Sequence, residues 1–134
     1  MSGGTQIALA ADEIVMCEHS VLGPIDPQLG QLPAASLLKV NERKPASEIA
    51  DNTFVMADMG RKAITQLKEA AQESLSHPLC PCEAEKLAEK LSTGTWTHDY
   101  PIAAKAKELG LPVSTDMPNE VRTAIANIRA TAFS

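Results

Sequence analysis

The sequence predicts a helix-rich α/β fold with a few short strands. Apolar residues recur at helical spacing over residues 47–76, which indicates one long helix. Short apolar stretches at residues 13–17, 20–23 and 111–114 are bounded by turn-forming residues, as buried strands are. Helices that alternate with short buried strands are typical of the α/β class.

Composition indicates a soluble globular chain of about one domain. The chain has 134 residues, 44% of them hydrophobic, and no apolar run near the length of a membrane span. The net charge of −5, with basic residues scattered among acids, gives no electrostatic footprint for nucleic acid or an anionic membrane. Three cysteines favour a reducing compartment over a disulfide framework, and no secretory signal follows Met1, so a cytoplasmic location is expected.

The first part of the chain is predicted to hold a turn, a helix and two strands. Residues 2–4, Ser-Gly-Gly, have the composition of a tight turn, because glycine adopts backbone angles that other residues avoid. A helix of small residues is predicted over residues 6–11, followed by the strands at 13–17 and 20–23. Such a turn usually follows a strand, so the chain is expected to begin in the middle of a domain.

The middle of the chain is predicted to be mostly helical. The proline-rich residues 24–33 should form a shaped loop, and a helix should follow over residues 33–42. Pro45 restricts the residue before it and so ends that helix. The long helix of residues 47–76 is then expected to begin with Ser47 as its N-cap.

The C-terminal part is predicted to alternate short helices with loops. Residues 77–82 interrupt the long helix, and a charged amphipathic helix follows over residues 83–91. Residues 93–101 are predicted to form a loop, and residues 102–109 a short helix that precedes the last strand. A final helix is expected to start near Pro118.

Four motifs, in this order along the chain, resemble a known family: "SGGTQIALAADEIVM", "VLGPIDPQLGQLPAAS", "TGTWTHDYPI" and "ELGLPVSTDMP". They are similar to the C-terminal half of the serine dehydrogenase proteinases, which are related to signal peptide peptidase A in the ClpP and crotonase superfamily. The resemblance extends over nearly the whole chain. It implies a partial ClpP/crotonase-like spiral fold, in which residues 1–134 are the C-terminal portion of a peptidase domain without its N-terminal strands.

The resemblance implies that Ser2 is the nucleophile and that a lysine is the general base. A serine hydroxyl is a poor nucleophile near neutral pH, so it needs an adjacent base, and a lysine serves when burial keeps it neutral. Gly3 and Gly4 would leave room for a substrate strand, and the N–H groups at the start of the following helix would hold the oxyanion. Related peptidases place the lysine before a long helix, where Lys44 fits best and Lys39 is the second candidate.

A Ser–His–Asp triad is the competing arrangement for the same nucleophile. Relatives with a histidine base carry it shortly after the second strand, but residues 23–26 here contain no histidine, which favours a Ser–Lys dyad. His98 and Asp99 invite a triad with Ser2. Because the same motif belongs to the family's closing loop, a structural turn anchored by aromatic residues is the favoured interpretation of this pair.

Neither a metal nor an organic cofactor is expected. His77, Cys80 and Cys82 are spaced unlike the common paired-cysteine zinc sites and would need a fourth ligand. Cys17, at the end of a predicted buried strand, is expected to be an ordinary core thiol.

Three functions are compatible with these residues. The first is an ATP-independent Ser–Lys peptidase that hydrolyses peptide or protein substrates, and the second is a non-catalytic domain that associates with itself or with a complementing half. The third is an acyl-CoA enzyme of the crotonase type, since that fold is shared. Residues 2–4 and Lys44 favour the first function over the third, while the missing N-terminal half that the resemblance implies favours the second over the first. A homo-oligomer is expected, with the long helix and the loop around Trp96 as contact surfaces.

Overall fold

The computed structural model describes residues 2–17, 19–102 and 105–132, apart from the side chains of residues 2, 105, 129 and 132. Its α-helices are α1 (Ser2–Leu9), α2 (Ala34–Arg43), α3 (Asp51–Leu75), α4 (Pro81–Ser92), α5 (Lys105–Glu108) and α6 (Asn119–Ala132). Its strands are β1 (Ile14–Val15), β2 (Gln28–Leu29), β3 (Leu32–Pro33) and β4 (Val113–Ser114). The helix-rich α/β fold with few short strands is therefore confirmed.

A parallel pair of strands brings together an early segment of the chain and the segment just before α6. In this pair, β1 lies beside β4, with Ile14 opposite Val113. The Ile14 N–H donates to the Pro112 carbonyl at 2.8 Å, and the Met16 N–H donates to the Ser114 carbonyl at 2.8 Å. Parallel strands need a long connection, and here residues 16–112 form the connection from β1 to β4.

The proline-rich stretch of residues 24–33 is more regular than its sequence predicts. Its second half is an antiparallel hairpin of β2 and β3, in which Leu29 pairs with Leu32. Gly30 in the turn has a φ of 65°, in the left-handed region that glycine adopts at low cost. The prediction of a loop without regular structure was wrong for these residues.

Residues 20–23 form no strand, which contradicts the prediction from their apolar sequence. Leu22 and Gly23 are buried, but their backbone groups bond outside any ladder. The Gly23 N–H donates to Thr5 Oγ1 at 3.0 Å, and the Ile102 N–H donates to the Leu22 carbonyl at 2.8 Å. The apolar sequence indicates that part of this segment is buried, but it does not indicate a strand. The Thr5 side chain and the backbone of Ile102 pair with the groups that a neighbouring strand would otherwise have bonded.

The long helix is confirmed, but it begins later than its sequence predicts. α3 has Ala50 as its N-cap rather than Ser47, because residues 46–48 form a separate 3₁₀ turn after Pro45. α3 packs against both α2 and α4. Gly60 permits the close approach to α2, since a Cβ at this position would lie 3.2 Å from the Ala34 Cβ.

The core lies where α1, α3 and α4 meet the segments around Ile25 and Ile102. Leu9, Leu75 and Leu91 contribute one fully buried leucine from each of these helices. Burying a leucine side chain stabilises a fold by about 1.5–3 kcal/mol, so these contacts hold the helices in place.

α6 carries an apolar face that the described residues leave exposed. Val121 is 46% exposed, Ile125 is 37% exposed and Ile128 is 68% exposed. These residues are spaced so that they lie on one side of a helix. No helix in the described ranges combines the length and the apolar character that crossing a membrane requires.

Candidate active site

A buried carboxylate and a histidine form a hydrogen-bonded pair although they lie 72 positions apart in the sequence. His98 Nδ1 is 3.0 Å from Asp26 Oδ1, and the Asp26 side chain is 2% exposed against 28% for His98. The other carboxylate oxygen, Asp26 Oδ2, accepts a hydrogen bond of 2.6 Å from Gln28 Nε2. A carboxylate at Nδ1 fixes the orientation of an imidazole and leaves its Nε2 to exchange a proton.

The backbone before Asp26 is tied to two helices. The Gly23 N–H donates to Thr5 Oγ1 of α1 at 3.0 Å in a buried position. The Ile25 N–H donates to the Leu91 carbonyl of α4 at 3.0 Å. Asp26 therefore holds a fixed position relative to α1, the helix that begins at Ser2.

The loop of residues 93–101 places His98 opposite this carboxylate. Trp96 and Tyr100 stack with ring centroids 5.8 Å apart and planes 7° from parallel. Between them, the Tyr100 N–H donates to the Thr97 carbonyl at 2.9 Å, which closes a turn around His98 and Asp99. The turn anchored by aromatic residues exists as predicted, and it directs His98 towards Asp26 rather than towards Asp99.

Two cavities border the Asp26–His98 pair. The first has a volume of about 370 Å³ and is also lined by Gly3 and Gln6 of α1. The second has a volume of about 290 Å³ and is also lined by Lys39 of α2. A larger cavity of about 580 Å³ lies beside α6, but its lining includes neither member of the pair. The two smaller cavities are the candidate active site, since both are lined by a histidine that is hydrogen-bonded to a carboxylate.

The predicted nucleophile and its glycines lie at the start of α1. The Ser2 side chain lies outside the described residues. Gly3 and Gly4 are helical rather than part of a tight turn, and neither has a positive φ. A Cβ at either glycine would meet no atom within 4 Å, so the space above them is open. Because Gly3 lines the same cavity as His98, the start of α1 and the histidine border one space.

The two candidate lysines lie on α2 and at its end. Lys39 is exposed and lines the second cavity together with Asp26 and His98. Lys44 is the C-cap of α2, and it is exposed and lines neither of the two cavities at the pair. A lysine that acts as a base usually works from a buried position. The role of either lysine stays a prediction.

Two of the three cysteines, Cys17 and Cys80, contact other side chains. Cys80 Sγ donates to Glu83 Oε2 at 3.0 Å, at the start of α4. Cys17 is exposed, with its Sγ 4.0 Å from Met117 Sδ, so the prediction of a core thiol was wrong. In the part of the chain that the structure describes, no group of three or more His, Cys, Asp or Glu side chains is placed to hold a metal ion.

Asp26 is the site residue that sequence reasoning missed. One signal was present, because Asp26 is the single acid in the apolar, proline-containing stretch of residues 21–27. An acid buried among apolar residues needs a hydrogen-bond partner. The sequence does not indicate which of the three histidines supplies that partner.

Comparison with known proteins identifies a protease family. Residues 1–129 match the family of ClpP-like SDH-type serine proteinases. An uncharacterized protein of Methanocaldococcus jannaschii is 51% identical over 124 residues, which are 92% of this chain and 43% of the relative. A second uncharacterized protein of the same organism is 48% identical over 122 residues, which are 90% of this chain and 41% of the relative. The chain thus spans about two fifths of the length of these relatives, and no solved structure matches it.

Proposed function

Because the chain belongs to the ClpP-like SDH-type serine proteinases, we propose that it carries the nucleophile and the base of a serine peptidase. In this proposal Ser2 attacks the peptide carbonyl, and His98, oriented by Asp26, is the general base. The observation that carries the proposal is the 3.0 Å contact between His98 Nδ1 and Asp26 Oδ1 beside a cavity that Gly3 also lines. The chain spans part of its relatives, so the activity of a whole protein belongs to the proposal.

Each group has a defined task in the reaction. His98 Nε2 accepts the Ser2 Oγ proton as the oxygen bonds to the carbonyl carbon, and Asp26 stabilises the resulting imidazolium. The backbone N–H groups at the start of α1, which Gly3 and Gly4 leave open to a substrate, hold the oxyanion. The imidazolium then protonates the leaving amine, and water hydrolyses the acyl-enzyme with the same histidine as base. This scheme involves no cofactor.

A Ser–Lys dyad is the alternative arrangement. One observation favours it, since Lys39 lines a cavity that also contains His98 and Asp26. Lys44, the candidate that the family resemblance favours, lies at the C-terminal end of the same helix. The two arrangements share the nucleophile and differ in the base, so substitutions of the base distinguish them.

Labelling by a fluorophosphonate probe, which reacts with activated serines, tests the proposal. The probe should label the chain alone, or mixed with the part of the M. jannaschii relative that has no counterpart here, and Ser2→Ala should abolish the labelling. His98→Ala should slow labelling by at least ~100-fold, the scale of general-base loss. His19→Ala is the matched control, because His19 is exposed and lines the cavities beside α6 instead.

Three outcomes contradict parts of this scheme. Labelling that survives Ser2→Ala removes Ser2 as the nucleophile. Normal labelling in His98→Ala combined with its loss in Lys44→Met or Lys39→Met transfers the role of base to that lysine. A chain that no probe labels, alone or in the mixture, favours the non-catalytic domain.

We also propose that the chain forms a homo-oligomer in the cytoplasm. Val55 and Met59 of α3 are 58% and 52% exposed, and α6 adds the apolar face of Val121, Ile125 and Ile128. Exposed apolar surface of this kind favours association. Light scattering after size exclusion should give a mass above that of one chain, and Ile128→Lys on α6 or Met59→Lys on α3 should lower it. A folded species at the mass of one chain over a wide concentration range would contradict the proposal.

A further inference from the structure

We propose that the cavity of about 290 Å³ beside His98 is a substrate subsite for an acidic side chain, with Lys39 as the cation that binds it. This inference rests on the proposed peptidase function, because it assigns the cavity to a residue of the peptide substrate. It names a substrate class, peptides with an aspartate or glutamate near the bond that is cleaved. We call this cavity the Lys39 cavity.

The position of the Lys39 cavity fits a subsite next to the reacting groups. Asp26 and His98 line both this cavity and the cavity at the start of α1. A peptide that reaches His98 from α1 therefore has the Lys39 cavity as its next neighbour. Ligand pockets for drug-sized molecules typically have volumes of about 300–1,000 Å³, so a cavity at the lower limit suits a single side chain.

The walls of the Lys39 cavity offer groups that bind a carboxylate. One wall is α2, with Ser36 and Lys39, and the other is the loop that follows α4, with Thr95 and Thr97. Hydroxyl groups can donate hydrogen bonds to a carboxylate, and an ammonium group supplies the opposite charge. Trp96 also lines the cavity and gives it an apolar surface.

The acidic side chain at the Lys39 cavity is paired within the protein, but the basic side chain is not paired with any of the described residues. Asp26, its acidic member, already bonds His98 through one oxygen and Gln28 through the other. Lys39 makes no ion pair with any residue that the structure describes. Lys90 Nζ lies over the Trp96 ring, 5.5 Å from its centroid, and Lys90 is not among the residues that line the cavity. Both oxygens of the Asp26 carboxylate are thus already hydrogen-bonded within the protein, whereas the Lys39 ammonium group can pair with an incoming anion.

The net charge of the chain cannot explain a preference for acidic peptides, so the preference must come from residues at the cavity. With a formal charge of −5, the chain as a whole repels an acidic peptide. Selection of an acidic residue must then come from a nearby cation, and Lys39 is the one that borders the reacting pair. Lys39 is in this interpretation a specificity residue rather than the base, so its removal should affect acidic substrates alone.

Trp96 supplies a direct signal for binding, because it is the single tryptophan of the chain and lines the Lys39 cavity. The experiment titrates the Ser2→Ala chain, which cannot turn over substrate, with acetyl-Ala-Asp-Ala-amide and with its asparagine analogue. The aspartate peptide should change the Trp96 fluorescence with a Kd about tenfold lower than that of the asparagine peptide, as one charge-assisted hydrogen bond allows.

Two variants on α2 separate the Lys39 cavity from general electrostatics. Lys39→Met should remove the tenfold preference. Arg43→Met should keep it, because Arg43 loses the same charge from the same helix but lines neither cavity at the pair. Equal affinity of the parent chain for both peptides, or a preference that survives Lys39→Met, overturns the inference.

Hydrolysis separates this inference from the proposed function. In the parent background, Lys39→Met should lower kcat/KM about tenfold for an aspartate-containing peptide and leave the asparagine analogue unchanged. Equal loss on both peptides makes Lys39 the base and overturns the inference. If the binding preference holds while Ser2 is never labelled, the peptidase proposal fails and the anion site stands. If Ser2 is labelled but the aspartate peptide binds no more tightly than the asparagine peptide, the peptidase proposal stands and the anion site fails.

Discussion

Gly94 is the position at which the loop that carries His98 should be most sensitive to one added methyl group. Its φ is 68°, and a Cβ there would lie 2.7 Å from the Ala35 Cβ of α2. A left-handed backbone costs a residue with a side chain about 1–2 kcal/mol, and an overlap in a packed region adds about 1–3 kcal/mol. Gly94→Ala should therefore lower the free energy of unfolding by about 2–5 kcal/mol, or Tm by about 8–20 °C in a chain of this size.

Gly110→Ala is the matched control for Gly94→Ala. Gly110 has a φ of 83°, but a Cβ there would meet no atom within 4 Å, so this variant pays the backbone cost alone. Urea denaturation followed by circular dichroism should show Gly94→Ala to be less stable than Gly110→Ala by about 1–3 kcal/mol. Adding Ala35→Gly to Gly94→Ala should recover part of that difference. Equal destabilisation by Gly94→Ala and Gly110→Ala would refute the close contact between the loop and α2.

Two further substitutions test the packing that positions the site. Leu91→Ala removes a fully buried side chain of α4 and should lower the free energy of unfolding by about 2–5 kcal/mol in the same urea titration, so a loss below 1 kcal/mol would argue against this core. Thr5→Val leaves the buried Gly23 N–H without its acceptor and should cost about 1–3 kcal/mol, whereas Thr65→Val, on the exposed side of α3, should change stability by less than about 0.5 kcal/mol.

The helices α3 and α4 were predictable because each has a local signal, whereas the first turn of α1 was predicted to be a tight turn. The periodic apolar residues of α3 and the charged amphipathic pattern of residues 83–91 located α3 and α4 within a few residues. The start of α3 was misplaced because Ser47 has the right residue type for an N-cap, yet it lies in a 3₁₀ turn. Capping residues mark turns as well as helix starts, so residue type alone does not decide between them. Within the predicted helix of residues 102–109, residues 103 and 104 lie outside the described residues.

The candidate site was predictable only in part, because its geometry depends on contacts between distant segments. His98 was singled out with its neighbour Asp99, which is exposed. The turn closed by the Tyr100 N–H instead points the His98 ring towards Asp26. The position of Asp26 is set by the hydrogen bonds of the preceding Gly23 and Ile25 N–H groups to α1 and α4. The sequence around His98 and the sequence around Asp26 do not indicate that these two side chains are in contact. The same limit applies to residues 20–23, where the burial of Leu22 and Gly23 was predicted but their hydrogen-bond partners were not.

The environment of Asp26 favours chemistry over a structural role. Burying a carboxylate costs several kcal/mol unless its oxygens are bonded, and apolar residues of similar volume usually stabilise a fold at least as well as a buried ion pair. Here the carboxylate is 2% exposed while the histidine is 28% exposed and lines two cavities. A ring fixed from the buried side and open on the other is the arrangement that a general base requires.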